Sequence, residues 1–323
     1  MSLPLPPARG HQESGAAPPA VPSPQPLLEA PSAAAVFLVV SILPGGEAQA
    51  RSLLGELEGL ARAIGFGRPE GRLSCVAGIG AAVWDRLCGG PRPALLRPFR
   101  ELAGPRHRAV ATPGDLLFHV RAERPDLCFA LTAEIVGRLG DTAVVEDEVQ
   151  TFAYFDSRNL LGFVDGTENP VGGAAADAAL VGDEDPRFRG GSYAVVQKYL
   201  HEVDAWEKLS VEEQERTIGR TKLTNLEIHA PGSHVDVNTV TGADGTERRI
   251  LRGAMPFGRP GHGEFGTYFI AYARDPDLTG TMLRRMYLGT EETGPDPLLD
   301  FSRAVTGTQF YVPSADFLER LEP

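Results

Sequence analysis

Leu117-Phe-His-Val-Arg-Ala-Glu-Arg-Pro-Asp-Leu127 has a counterpart far downstream in Tyr268-Phe-Ile-Ala-Tyr-Ala-Arg-Asp-Pro-Asp-Leu278. Each is an apolar run of strand length, then a charged turn, then Pro-Asp-Leu at the head of an amphipathic helix. Proline suits the first helical turn, where its missing N–H removes no bond. After the first copy, Leu127, Ala130, Leu131, Ile135 and Leu139 recur at helical spacing; after the second, the helix runs from Leu278 to Leu288. Strand-then-helix units are common, so the echo gains weight only from the elements on either side.

Those elements also repeat. Upstream of the first copy, Ala35–Leu43 reads as a strand closed by Pro44-Gly-Gly46. Glu47–Ile64 is a helix with Leu53, Leu54, Leu57, Leu60, Ala61 and Ile64 on one face, and Arg72–Gly78 is a second strand. A short helix passes through Val83, Trp84 and Leu87. Pro91–Pro113 is irregular, with a strand near Pro98–Leu102. The strand Asp115–Arg121, the helix Pro125–Leu139 and an extended Thr142–Tyr154 complete the first half. The second half offers a strand at Ser192–Leu200 and a helix over Asp204–Gly219, with Ser210 and Glu213 as a capping box within it or restarting it. Strands follow at Arg248–Arg252, at Gly266–Arg274 and near Phe310–Val312. This mixed order predicts an α+β fold of two tandem ferredoxin-like βαββαβ units. No GxGxxG opens a strand–helix unit, which argues against a Rossmann enzyme.

The 323 residues are 42% apolar, enough for a sizeable core, and carry a net charge of −12. That charge disfavours a nucleic-acid surface and suits small or neutral partners. Cys75, Cys88 and Cys128 are odd in number and form no CxxC, so free buried thiols in a reducing compartment are expected. Met1 to about Pro31 is rich in Pro, Ala and Ser and reads as a flexible arm. It lacks the basic start and continuous apolar segment of a secretory signal, and Arg9 has no neighbouring Arg. The apolar run Ala33–Leu43 is too short to span a bilayer, so no membrane partner is expected and the cytoplasm is the expected compartment. The expected divisions are the arm at 1–31, one ferredoxin-like domain at 32–155 and a second at 156–323.

Between the halves lies Asn159-Leu-Leu-Gly-Phe-Val-Asp-Gly-Thr-Glu-Asn-Pro170. Gly162 and Gly166 permit backbone angles that a side chain forbids. Asp165, between an apolar run and a glycine, is placed on a bend partly withdrawn from water, where a carboxyl has a raised pKa and can move protons. The same Asp-Gly pair is also an ordinary turn signal. Seven histidines are present, none paired at a metal-ligand spacing, so a multi-histidine site is not expected. A haem needs only one axial histidine and leaves no spacing signature.

Gly162-Phe-Val-Asp-Gly166 followed by Thr-Glu-Asn-Pro resembles the GxxDG motif of the dye-decolourising (DyP-type) haem peroxidases. Ser233-His-Val-Asp-Val-Asn238, with Ile218-Gly-Arg-Thr-Lys-Leu223 upstream and Leu251-Arg-Gly-Ala-Met-Pro-Phe-Gly258 downstream, is similar to their bacterial B-type members. Gly114–Ala122 and Leu299–Gly307 also resemble family segments, and the likeness runs from about Ala33 to Leu321. It implies the duplicated ferredoxin-like fold of the dimeric α+β barrel type, with haem b in the C-terminal half. His234 becomes the iron ligand, Asp165 the proton shuttle and Arg252 the stabiliser of developing negative charge. It also implies Asp300, or less strongly Asp296, as the carboxylate behind the histidine. Arg220 or Lys222 would meet a haem propionate, and Phe257 and Phe269 would line the pocket. The implied activity is reduction of hydrogen peroxide through a ferryl intermediate, with oxidation of small one-electron donors such as dyes or phenols. Trp206 and Tyr199 are candidate relays for bulky donors. Self-association is implied too, and no shell-targeting tail is expected after Leu321-Glu-Pro323. One departure stands out: Gly253 and Ala254 occupy places where B-type relatives commonly carry Asp-Asn. That swap keeps a haem- or iron-handling protein with little turnover as an alternative, and a cofactor-free domain with merely structural turns as another.

Overall fold

A computed structural model describes residues 22–321. Ten strands form its main sheet: β1 (Ala34–Ile42), β2 (Ser74–Gly80), β3 (Leu116–Ala122), β4 (Ala143–Phe152), β5 (Ser192–His201), β6 (Leu251–Arg252), β7 (Met255–Arg259), β8 (Glu264–Ala273), β9 (Ser302–Ala304) and β10 (Thr308–Val312). The order is β6-β8-β5-β10-β2-β3-β1-β4, with β7 also on β8 and β9 also on β5, and every pairing is antiparallel. The first half contributes β2-β3-β1-β4 and the second β6/β7-β8-β5-β10. Each is the strand order of a βαββαβ unit, so the expected duplication is present.

The halves join edge to edge where Phe310 and Tyr311 pair with Gly80 and Ile79. The sheet curls until its outer edges meet, bringing Thr151 Oγ1 of β4 to Met255 Sδ of β7 at 3.6 Å. Alternation along the strands sorts side chains between the two surfaces. Phe37, Val39, Leu117, Tyr268, Ile270 and Phe310 fill the interior of the curl. Leu38, Phe118 and Val120 point outward in the first half. There α1 (Glu47–Gly65) and α2 (Pro125–Leu139) cover them with Leu53, Leu57, Leu131 and Ile135.

Cover over the second half is less complete. Only α5 (Pro276–Leu288) is of full length, and it packs Leu283, Met286 and Tyr287 against Val195 and Tyr199. The single helix expected over Asp204–Gly219 is split, with Val203–Trp206 separate from α3 (Val211–Ile218). Ser210 causes the break: its Oγ accepts from Glu213 N–H while Glu213 Oε2 accepts from Ser210 N–H, a capping box that starts α3 afresh. The helix α4 (His234–Asn238) has five residues. Arg248–Arg252 is likewise not one strand. Glu247–Arg248 forms a separate hairpin with Val240–Thr241, while β6 joins the main sheet.

The described part of the segment expected as an arm over residues 1–31 is tied to the fold. Residues 1–21 lie outside the description, but Leu27 is buried and Gln25 is tightly bonded. Gln25 Nε2 donates to the carbonyls of Ala77 and Pro313, both at 2.8 Å, and Oε1 accepts from Ala77 N–H at 2.7 Å. Ala77 lies in β2 beyond its short pairing with β10, so this amide completes the ladder where the halves diverge. Cys75 and Cys128 are buried and Cys88 partly so; all three are free thiols. No described helix is long and apolar enough to cross a membrane.

Candidate active site

A cavity on the outer surface of the second half is walled by β5, β8, α4, α5 and the loop at 159–168. The loop is built from its own backbone. Asn159 Oδ1 accepts from the N–H groups of Leu161 and Phe163 at 3.1 and 3.2 Å. Leu161 and Phe163 then pack with Trp206 and Ile218, and Trp206 Nε1 donates to Leu161 O at 3.0 Å. Gly162 sits at φ +90°, and a Cβ there would come within 2.6 Å of Lys222 Cε. Only glycine meets both demands. The next turn places Asp165 on the cavity wall, its N–H bonded to Ser157 O at 2.8 Å and its Oδ1 accepting from Gly166 N–H at 2.8 Å. Burial raises the Asp165 pKa above the ordinary aspartate value, against the pull of the Gly166 N–H and the charges of His234 and Arg252. Asp165 therefore sits beside the expected bend, and burial acts on its carboxyl in the expected direction.

Arg252 reaches the same cavity from β6. Asn169, in the Thr-Glu-Asn-Pro run, holds its backbone like a strand partner: Arg252 N–H donates to Asn169 Oδ1 at 2.8 Å, and Asn169 Nδ2 donates to Arg252 O at 2.7 Å. The guanidinium has no ion pair among the described residues, and its Nη2 approaches Met282 Sδ at 3.7 Å. Burial lowers its pKa, with Asp165 the first of the opposing charges. Arginine begins so high that it stays cationic. Sequence reasoning passed over Asn169; its one signal was its place in the motif, directly before Pro170.

His234 opens α4. Ser233 caps that helix, and Gly219 packs against Ser233 so closely that a Cβ would come within 2.5 Å of its Oγ. The ring donates from Nδ1 to Asp296 Oδ2 at 2.6 Å, and Asp296 is fully buried. Asp296 Oδ1 accepts from Leu298 N–H at 2.9 Å, so both carboxylate oxygens are engaged. Burial works against a charged His234, but Asp296 outweighs it and the pKa is raised overall. His234 Nε2 has no partner among the described residues and is available to the cavity. His201 also lines the cavity, but Thr267 and Ser302 engage its nitrogens at 2.9 Å each. Burial pushes its pKa down to about 4. His201 therefore has no nitrogen to offer a metal.

Other residues named from the sequence are sorted by this geometry. Phe269 and Arg220 line the cavity. The Arg220 guanidinium is paired with Glu168 and donates to Asn225 O at 2.9 Å. Lys222 stands outside, its Nζ donating to Gln214 Oε1 at 2.6 Å. Phe257 is also outside. Strand alternation turns it into the curl beside Tyr268, above Gly266, where a Cβ would strike its ring. Asp300 does not reach His234: it bonds His107 Nε2 at 2.8 Å and Arg106 at 3.2 Å, and Asp296 makes the contact expected of it. Trp206 and Tyr199 are buried rather than on the surface. Tyr199 donates to Gln197 Oε1 at 2.9 Å and accepts from Tyr287 at 3.3 Å. At the departure, Ala254 lines the cavity and offers no polar group, while Gly253 N–H bonds Ile270 O at 2.9 Å.

The residues fit a haem. Among the described residues the imidazole Nε2 is unpartnered, and its Nδ1 is anchored. Ile218, Phe269, Met286 and Leu298 supply apolar walls, and Arg252 and Asp165 stand on the same wall without an ion pair among the described residues.

Comparison with known proteins agrees. The Dyp-type peroxidase N-terminal and C-terminal family models match residues 24–153 and 156–317. A dye-decolorizing peroxidase of Mycobacterium tuberculosis is 54% identical over 93% of this chain and 91% of its own. An encapsulated DyP-type peroxidase from Mycobacterium smegmatis superposes with a TM-score of 0.92 at 52% identity, covering 94% of this chain and 99% of its own. A variant of DypB from Rhodococcus jostii RHA1, solved in complex with heme, gives 0.90 at 53% identity, covering 94% and 100%.

Proposed function

The chain belongs to the Dyp-type peroxidase family, and from that premise we propose that His234 holds the iron of its haem while Asp165 and Arg252 do the proton and charge work on peroxide. The protein is a haem peroxidase that reduces hydrogen peroxide at the expense of electron donors. The peroxidase names and heme complexes of its relatives favour this over a haem-handling role or a cofactor-free domain. The observation that carries the assignment of residues is His234 itself, with Nδ1 held by buried Asp296 and Nε2 free in the cavity that Asp165 and Arg252 also line.

Bound haem supplies the redox equivalents and the site for peroxide. Around it, Asp296 orients the His234 ring and enriches it in electron density through the Nδ1–H bond. Asp165 accepts a proton from the incoming peroxide oxygen and returns it to the departing one; its raised pKa brings it nearer the working pH for that exchange. Arg252, held by Asn169, directs N–H donors at the negative charge that develops on the departing oxygen. With Ala254 contributing no amide, this work rests on Asp165 and Arg252 alone. Arg220, already engaged by Glu168, is the cation on the wall for a propionate.

Stopped-flow absorbance of haem-loaded protein mixed with one equivalent of peroxide tests these roles. Asp165→Ala and Arg252→Ala should slow the spectral change, and His234→Ala should lose the haem spectrum. Retention of the wild-type spectrum in His234→Ala refutes the ligand assignment. The donor is a small reductant. We also place the enzyme in the cytoplasm as a self-associating protein, supported by its three free thiols and by family resemblance.

A further inference from the structure

A second cavity lies behind the first, and Leu283 of α5 lines both. Its inner wall is apolar, with Phe99 and Leu102 facing Leu283. Its rim carries Arg97, Arg100 and Arg284 against one carboxylate, Asp277, which Arg97 already pairs. Arg284 donates to Thr281 Oγ1 at 2.8 Å, and neither it nor Arg100 meets a carboxylate among the described residues. Gln309, only 7% exposed, also lines this cavity, and its buried Nε2 finds no acceptor among the described residues. Two guanidinium groups without carboxylates and an amide donor without an acceptor form a local excess of donors on a chain of net charge −12. Such an excess recognises an anion, and the apolar wall accommodates an aromatic body attached to it.

We propose that this cavity docks an aromatic carboxylate or sulfonate that serves as the electron donor. The inference rests on the peroxidase reading above and adds where a donor sits without entering the cavity of His234. Leu283 lines both spaces, so a donor docked here sits beside a wall of the cavity of His234, and an electron can cross to it without direct contact. A phenolic donor gives up one electron and its phenolic proton. Two donors thus provide the two electrons and two protons that turn one hydrogen peroxide into two waters.

Ferulate, an anionic phenol, and guaiacol, its neutral relative, serve as probes. Binding of ferulate to haem-loaded protein is measured by calorimetry without peroxide, and KM for each donor is measured at saturating peroxide. Arg100→Ala/Arg284→Ala removes the charge. Gly280→Leu fills the space with the charges intact, since a Cβ at Gly280 meets only the mobile end of Arg284, at 3.4 Å. Both variants should weaken ferulate binding and raise its KM about tenfold, as expected for a lost charge-assisted contact, with guaiacol unchanged. Salt should raise the ferulate KM of wild type only. If wild type oxidises guaiacol but ferulate binding and KM ignore both variants, or if imidazole at the haem displaces ferulate competitively, the second cavity is not the donor site. A wild type that oxidises neither donor removes the donor role together with the peroxidase reading.

Discussion

Replacing Asn169 by leucine keeps the bulk of the side chain and removes both bonds that hold the Arg252 backbone, at 2.8 and 2.7 Å. Each such bond contributes about 1 kcal/mol net, and up to about 3 kcal/mol if the orphaned group stays dry. The variant should therefore lose about 2 kcal/mol, a fall of roughly 3 °C in Tm for a protein of this size. Its effect on chemistry follows from what the bonds hold. Removing a donor aimed at developing charge costs about 10²–10³ in rate; an Arg252 that is present but unanchored should lose part of that, about tenfold. Asn169→Asp keeps the acceptor for Arg252 N–H and should fall between wild type and leucine. The assay is the rate of the absorbance change after one equivalent of peroxide, read beside Arg252→Leu and the Asn169→Leu/Arg252→Leu double variant. If Asn169 acts through Arg252, the double variant is no slower than Arg252→Leu. Full additivity, or a wild-type rate in Asn169→Leu, refutes the reasoning.

Asp296→Asn should release haem to apomyoglobin about 10–100 times faster, because the amide no longer accepts from His234 Nδ1 as a carboxylate does; unchanged transfer would overturn that role. Asp165 carries a raised folded pKa, so folding favours its protonated form. The stability this provides is complete below the ordinary aspartate pKa and is lost as pH rises through the folded value. Haem-free Asp165→Asn should thus melt higher than wild type at neutral pH and converge with it in acid, and the acid limb of the peroxide reaction should vanish; parallel melting curves at every pH would contradict this. Gln25→Ala removes three buried bonds. It should lower stability by about 3 kcal/mol, seen as a lower urea midpoint with the haem spectrum intact, and an unmoved midpoint would deny Gln25 that role.

Much of the fold was legible because its signals are local. Apolar runs of strand length announced β1, β3, β5 and β8, and the Pro-Asp-Leu starts of α2 and α5 located the duplication. The helix over Asp204–Gly219 was overextended because its capping box, though visible, gave no sign of whether it lay within a helix or restarted one. The site was legible where a motif pointed to it, as with Asp165, His234 and Arg252. It was obscure where partners meet across long sequence separations. Asp296 and Asp300 are four residues apart in one acidic, Leu-rich segment, and only the path of the chain after α5 decides which one His234 meets. Phe257 and Phe269 are alike in sequence, but strand alternation sends one into the curl and the other into the cavity. Asn169 acts by touching backbone, an interaction that leaves no mark on its partner's identity.

The uneven helical cover of the two halves has a thermodynamic corollary. The first copy is filled by helices of 19 and 15 residues. The second keeps one helix of 13 residues and, in place of the other, has pieces of eight and five residues around an open space. Local opening follows the density of buried apolar contact. In haem-free protein, amide hydrogens of α3 and α4 should therefore exchange well before those of β1 and β3, and haem should selectively slow the former. Uptake of the cofactor would then be the last step in consolidating the second copy, with the first acting as a preformed template along the Phe310–Gly80 seam.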